Sequence, residues 1–248
     1  MSRVCLSVVS HGQAELVSRF LEDLGHLTPS QDVILTCNIP DPDPIRSDGL
    51  PNFRRIDNSF SKGFGANHNA AFEHCTSELF CVANPDVRLT RDPFDELIAC
   101  MDDPEVGLVA PRVVDPAGNH EDSARYFPTP ASLVGKMLGL GEGRYPVVGE
   151  DAVAVEWVAG MFMLFRAEAF RAVGGFDERF FLYYEDVDIC ARLWKAGWKV
   201  QLHPGVSVIH AAQRTSRRKA RYMATHLASM ARYLAKHMGR LPHVRQES

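Results

Sequence analysis

Residues 79–86 read Leu-Phe-Cys-Val-Ala-Asn-Pro-Asp. Five apolar residues in an unbroken run fit a strand buried on both faces, and Asn84-Pro85-Asp86 ends it with three turn formers. A strand apolar on both sides needs cover above and below its sheet, so this stretch sets the fold class. Working outward, Val4–Ser10, Val33–Thr36, Arg54–Ile56 and Val106–Val114 read as further strands. Between them lie helical patterns. Residues 13–24 place Ala14, Leu16, Val17, Phe20, Leu21 and Leu24 at helical spacing, and residues 66–75 form another such segment. Asp92-Pro93, an N-cap followed by Pro at the first helical position, opens a helix to Met101. The β-α-β-α-β alternation predicts an α/β fold with a mostly parallel central sheet and helices on both faces.

Residues 115–150 are rich in Gly, Pro and charge and read as loop, with one helix near Ser132–Leu140. An apolar stretch (Val153–Phe165), a short helix (Ala167–Val173) and Gly174-Gly175-Phe176-Asp177 follow. Next come a helix from Asp186 to Ala196, a strand at Trp198–Leu202, and a separate apolar run, Val206–Ile209, ending at His210. The last 30 or so residues read as one basic helix.

With 248 residues, 46% of them hydrophobic, the chain can bury a full core as one large domain with a C-terminal appendage. Charged residues at 23% exclude global disorder. No window approaches 18 consecutive apolar residues, and the N-terminus lacks a signal-peptide pattern, so a cytoplasmic protein is expected. Six cysteines without a C-x-x-C pair, most of them inside apolar runs, read as reduced structural thiols. The net charge of −4 hides an asymmetry: residues 1–188 carry 15 Lys/Arg against 30 Asp/Glu, whereas residues 189–248 carry 12 against one. An acidic body with a basic tail points to an anionic partner for the tail.

Ligands of such sheets bind beyond the carboxyl ends of the strands, where Ser10-His11, Cys37-Asn38 and Asn84-Pro85-Asp86 all lie. Asp86 at a strand end suits Mg²⁺ or Mn²⁺, which take one or two carboxylates plus substrate phosphates, although the same three residues also make an ordinary turn. Glu185, Asp186 and Asp188 pack three acids into four residues behind Phe180-Phe181-Leu182-Tyr183-Tyr184. Acids at a helix start compensate its dipole, while aromatic walls desolvate a carboxylate and raise its pKa toward that of a general base. His210 at a strand end is a structural histidine or a ligand. Gly63-Phe64-Gly65-Ala66-Asn67-His68-Asn69 is a small-residue turn whose N–H groups would approach a phosphate or sugar, but it is neither a Walker A nor a G-x-G-x-x-G motif.

The tail carries Arg214, Arg217, Arg218, Lys219, Arg221, Arg232, Lys236, Arg240 and Arg245. Met223, Leu227, Met230, Leu234 and Met238 align as one apolar stripe. Such a helix lies on an anionic membrane surface or packs on the domain with a solvated basic face. No nucleic-acid-binding motif accompanies it, and nucleic acid is not expected as a partner.

In this order the segments resemble glycosyltransferase family 2, and within it the bacterial rhamnosyltransferases of O-antigen and cell-surface polysaccharide assembly. The resemblance rests on Val8–Gly12, Gly63–Asn69, Asn84-Pro85-Asp86, Arg125–Pro128, Trp157–Gly160, Gly175–Phe181, Tyr184–Cys190 and His210, and runs from about residue 4 to 235. It implies a GT-A, Rossmann-like domain over residues 1–212, with a donor-binding half at about 1–114 and an acceptor and base half at about 151–212. Residues 213–248 would be the basic helix. It further implies inverting transfer, most readily of L-rhamnose from dTDP-rhamnose, to a saccharide on a polyprenyl diphosphate. The enzyme would then be peripheral at the inner face of the cytoplasmic membrane. Asp86 and His210 would hold the divalent metal, and Asp186 would be the base with Glu185 as support or alternative. Ser10, His11, Asn38, Gly63, Phe64, Asn67 and Asn84 would line the donor pocket, and Trp157, Ala159 and Gly160 the acceptor side. Many members carry Asp-Asn at the end of the second strand, the Asp contacting the pyrimidine. Here the pair is Cys37-Asn38, and a thiol is a poor carboxylate substitute, which leaves dTDP-sugar and UDP-sugar donors both open. An inactive relative that only binds nucleotide-sugar or scaffolds an assembly is the reading from another class.

Overall fold

The computed structural model describes residues 3–28, 30–41, 43–121, 123–140, 143–147, 149–211, 219–242 and 244. Of the tail residues named above, Arg214, Arg217, Arg218 and Arg245 lie outside this set. In chain order the elements are β1 (Val4–His11), α1 (Ala14–Leu27), β2 (Asp32–Ile39), β3 (Phe53–Asp57), α2 (Phe64–Phe72), β4 (Leu79–Ala83), β5 (Val87–Arg88) and α3 (Phe94–Ala99). There follow β6 (Val106–Val114), β7 (Ala124–Arg125), α4 (Pro130–Met137), β8 (Val153–Ala154), β9 (Trp157–Val158) and β10 (Phe162–Arg166). The chain continues through α5 (Ala167–Ala172), α6 (Glu185–Lys195), β11 (Lys199–His210) and α7 (Lys219–His237).

The central sheet runs β3-β2-β1-β4-β10-β6-β11-β5, with β8 paired to β11. The predicted parallel strands β3, β2, β1 and β4 form one side, and β6 pairs parallel with β11. β10 enters antiparallel between β4 and β6, and β5 and β8 are antiparallel to β11, so the sheet is mixed. Because β10 comes from residues 151–212 and its neighbours from residues 1–114, these two parts of the chain share one sheet.

Side-chain alternation builds the two cores. Phe80 and Val82 of β4 face α2, α5 and α6, while Leu79, Cys81 and Ala83 face α1 and α3. All six cysteines are free thiols, four of them buried. Pro93, expected as the first helical residue, is the N-cap of α3, and Asp92 one residue ahead of it accepts from the Phe94 N–H at 2.7 Å.

Two expectations change. The runs read as a strand at 198–202 and a separate one at 206–209 are one strand, β11, whose register breaks between His203 and Ser207. Pro204 cannot donate to a ladder and is tolerated at such a bulge, and Gly205 N–H bonds instead to Glu150 O at 2.9 Å. The tail stripe is also divided. Tyr233 is fully buried in the main core, and Met230 and Leu234 pack against it, whereas Met223, Leu227 and Met238 are exposed. The C-terminal half of α7 is thus part of the domain. Among the described residues no helix is long and apolar enough to cross a membrane.

Candidate active site

Segment 159–161, between β9 and β10, meets the loop after β4, the start of α6 and Ser123 just before β7. Asn84 N–H bonds to Met161 O at 2.9 Å, while Gly160 N–H donates to Asp186 Oδ2 at 3.1 Å. Three consecutive residues therefore tie the end of β4, with Asp86, to the start of α6, with Asp186. A Cβ on Gly160 would lie 3.7 Å from the Phe64 ring and 3.6 Å from Asp186 Cβ, which places these three predicted residues side by side. Ala159 N–H bonds to Ser123 O at 3.0 Å, and Trp157 Nε1 donates to Tyr126 O at 2.9 Å, joining β9 to the strand that carries Arg125.

Tyr183 and Tyr184 aim the acidic cluster. Both adopt left-handed backbone conformations, φ 71° and 67°, which non-glycine residues take only when packing enforces them. Tyr184 is held by the rings of Tyr233 and His226, each 5.3 Å away. The turn sends neighbouring carboxylates different ways. Asp186 is half-buried and faces Gly160; burial raises its carboxyl above the usual range, with bonds from the Val187 and Gly160 N–H groups opposing. Glu185 points inward at 5% exposure. Its Oε2 has no partner, and burial, then the Asp186 charge, hold it well above its ordinary value. A half-buried carboxylate of raised basicity suits a general base better than one buried as deeply as Glu185.

Asp188, the third acid, is structural. It is fully buried and receives Arg192 Nε at 2.8 Å, Lys236 Nζ at 2.6 Å and His237 Nε2 at 2.8 Å.

At the other pole His210 Nε2 is 3.3 Å from Asp86 Oδ2, and His210 Nδ1 is 2.8 Å from Glu121 Oε2. The Asp86 hydrogen bond, then that of Glu121, raises the imidazole, with burial opposing. Asp86 Oδ1 is buried without a partner. An orphaned carboxylate oxygen beside an imidazole whose other nitrogen is fixed by a second carboxylate fits a divalent cation. Among the described residues no cluster of three His, Cys, Asp or Glu would hold a metal by itself, so the remaining ligands would be substrate oxygens. The sequence reading did not single out Glu121, 89 positions from His210.

The other candidates divide. Ser10, Asn38 and Asn67 are buried, and their side chains bond to protein groups. Ser10 Oγ donates to Asp41 Oδ1 at 2.9 Å. Asn38 is gripped by Lys62 N–H at 2.7 Å, by Lys62 O at 2.9 Å and by Asn58, and also meets His11 Nδ1 at 3.0 Å. Asn67 Nδ2 donates to Gly63 O at 2.9 Å. The polar groups of these three side chains are engaged within the protein, whereas His11 is exposed. The expected phosphate cradle at Gly63–Asn69 is replaced at its first N–H: Phe64 N–H bonds to Phe181 O at 2.9 Å. A Cβ on Gly63 would lie 2.8 Å from that oxygen, and one on Gly65 would lie 2.6 Å from Phe176 Cβ. The glycines admit the 176–181 segment. Asn69 completes the joint by accepting from Phe176 N–H and donating to Phe176 O, both at 2.9 Å. Burial pushes the Cys37 thiol up to about 11, so it stays neutral. Asp41, close enough for its charge to act on Cys37, has its Oδ2 buried and without a partner.

The model of the family described as Glycosyl transferase family group 2 matches residues 84–241. The chain belongs to this family. It is a glycosyltransferase with a GT-A fold. An N-acetylglucosaminyl-diphospho-decaprenol L-rhamnosyltransferase of Mycobacterium tuberculosis is 34% identical over 215 residues, covering 76% of this chain and 69% of that protein. Rhamnosyltransferase WbbL of Escherichia coli K12 is 29% identical over 248 residues, covering 94% and 93%. Among solved structures, GalNAc-T7 with UDP, GalNAc and Mn²⁺ superposes with a TM-score of 0.72 at 13% identity, over 95% of this chain and 48% of that one. Mannosyltransferase PcManGT of Pyrobaculum calidifontis, with GDP-Man and Mn²⁺, gives 0.63 at 18%, over 93% and 64%. At these identities the structures bear on the fold alone.

Proposed function

We propose that this glycosyltransferase moves L-rhamnose from dTDP-rhamnose, with inversion, onto a saccharide carried on a polyprenyl diphosphate. The observation that carries the chemistry is Asp186: a half-buried carboxylate of raised basicity, fixed by the Gly160 N–H beside Phe64. The names of the two rhamnosyltransferase relatives support the donor sugar, and the decaprenol-diphosphate acceptor in one of them supports the lipid carrier.

Asp186 takes the proton of the acceptor hydroxyl as its oxygen attacks the anomeric carbon. The new C–O bond forms on the face opposite the breaking bond to the diphosphate, and the nucleoside diphosphate leaves with that electron pair. Asp86 and His210, steadied by Glu121, would hold Mg²⁺ or Mn²⁺, which when bound supplies charge neutralisation for the diphosphate. One protein base suffices because the diphosphate departs as an anion; a hydrolase would need a second carboxylic acid for its leaving group. Burial, then the Asp186 charge, hold Glu185 well above its ordinary value, which disfavours a second negative charge beside Asp186. For the nucleotide base, Asp41 stands in for the carboxylate that Cys37 lacks: its free Oδ2 can accept one N–H, as thymine and uracil offer at N3. Cytoplasmic placement at the inner membrane face follows from the lipid-linked acceptor.

The test is donor hydrolysis and binding across dTDP-rhamnose, UDP-GlcNAc, UDP-glucose and GDP-mannose, with Mg²⁺ and with EDTA. Metal-dependent preference for dTDP-rhamnose is the expected result. Preference for a UDP-sugar would overturn the donor, and no binding at all would make the chain an inactive relative.

A further inference from the structure

The exposed large apolar side chains are concentrated at one place. Val134, Leu138 and Leu140 stand out along and just after α4, Leu140 at 78% exposure. Tyr222, Met223 and Leu227 are exposed on the first half of α7, ahead of the part that enters the core. Phe181 and Tyr183 are exposed in the segment leading into α6. Among the described residues, only Tyr126, Phe60 and Met238 of the exposed large hydrophobics lie outside these three segments.

Contacts join the segments. The Tyr183 ring is 5.3 Å from His226 of α7. Burial, then the charge of Lys136 on α4, hold the His226 imidazole below its ordinary value, so Lys136 lies within electrostatic reach of α7. The patch also borders the site, since Tyr183 and Tyr184 lead into Asp186 and Phe181 O accepts the Phe64 N–H.

Charge selects the occupant. Neither α4 nor α7 contains an acidic residue; α4 carries the exposed Lys136, and Lys219 and Arg221 open α7. The preceding sequence adds Arg214, Arg217 and Arg218. An apolar face with tyrosines, flanked by two helices that carry basic and no acidic residues, matches the headgroup boundary of an anionic leaflet.

We propose that α4 and the first half of α7, with Phe181 and Tyr183 between them, form a docking face for an anionic phospholipid bilayer, presenting the Asp186 end of the cleft to the leaflet. That orientation rests on the lipid-linked acceptor proposed above; the docking itself does not.

The experiment is co-sedimentation of the full chain with phosphatidylglycerol–phosphatidylethanolamine vesicles and with phosphatidylcholine vesicles. The comparison protein is the double variant Leu138→Glu/Leu227→Glu, backed by the milder Leu140→Ser/Met223→Ser; thermal melting checks that each is folded. Binding should favour anionic vesicles, weaken with salt, and fall about tenfold or more in both variants. Transfer to a water-soluble, short-chain acceptor should be unchanged in the variants. Failure of the wild type to bind any vesicle, or equal binding by folded variants, overturns the docking face. A wild-type dimer that the variants dissociate, without vesicle binding, assigns the patch to a second copy. If vesicles bind as expected but no rhamnosyl transfer occurs, the proposed reaction fails and the docking face stands.

Discussion

Asp186 and Glu185 are adjacent in sequence and opposite in circumstance. Asp186 is half-buried where Glu185 is buried, and its raised pKa sets the sign of the pH dependence. Transfer needs the carboxylate, so kcat/KM should fall as pH drops through a value above the ordinary Asp range of about 4. Asp186→Asn is expected to lower transfer by about 10²-fold or more while leaving donor affinity near wild type in a binding titration. Retained turnover would move the base role to Glu185. At the metal pole, Glu121→Gln removes the charge that orients His210 Nδ1 without touching Asp86. Mn²⁺ affinity, read by isothermal titration in the presence of nucleoside diphosphate, should weaken about 10- to 100-fold. Of the site residues, Asp86, Asp186 and His210 were legible from sequence because each is a chemically distinctive group at a strand or helix end. Glu121 was not, because a lone acid in a Gly/Pro-rich loop carries no local signal.

At the scale of elements, α2 and the 176–181 segment are a single joint, although more than 100 positions separate them. Gly65→Ala would push a methyl against Phe176 Cβ at 2.6 Å, and overpacking of this kind costs about 1–3 kcal/mol, measurable as a lowered urea midpoint. The second joint is between α6 and α7. Burial alone would raise the Asp188 carboxyl, but His237, Arg192 and Lys236 together hold it below its ordinary value. A depressed folded-state pKa contributes stability above the unfolded value of about 4 and loses it as pH falls through the folded value. Asp188→Asn should therefore destabilise by about 3–5 kcal/mol at pH 7, because it leaves buried cations without their counter-charge. The gap to wild type in urea denaturation should close as pH is lowered below about 4. An unchanged gap at acid pH would show that the loss comes from packing instead. The sequence placed α6 to within one residue, since hydrophobic spacing is local, whereas the helix expected over the last 30 or so residues ends at His237. It assigned the Asp188 acid to the same cluster as Asp186, since the partners that distinguish them come from α7, some 50 positions later.

Across the whole molecule, α7 does two things that its sequence presents as one stripe. Its second half completes the core with Tyr233, clamps Asp188, and through Ser229 Oγ holds Leu182 O at 2.8 Å. Its first half stays on the surface. Removal of residues 219–248 should therefore lower thermal stability and abolish transfer even to a soluble acceptor; Tyr233→Ala alone is expected to cost about 3–5 kcal/mol. Normal melting of the truncated chain would overturn the structural role of the tail. What the sequence determined by itself is the α/β alternation, the family, and the three chemical groups at the ends of elements, because periodicity and short motifs act over a few residues. What only the tertiary structure decided is which way each acid faces, that Gly63 and Gly65 accommodate a neighbouring backbone, that β10 enters antiparallel, and that the tail is half core and half surface. Each of these depends on burial and on partners far away along the chain, and desolvation is a property of the packed molecule that no local pattern encodes.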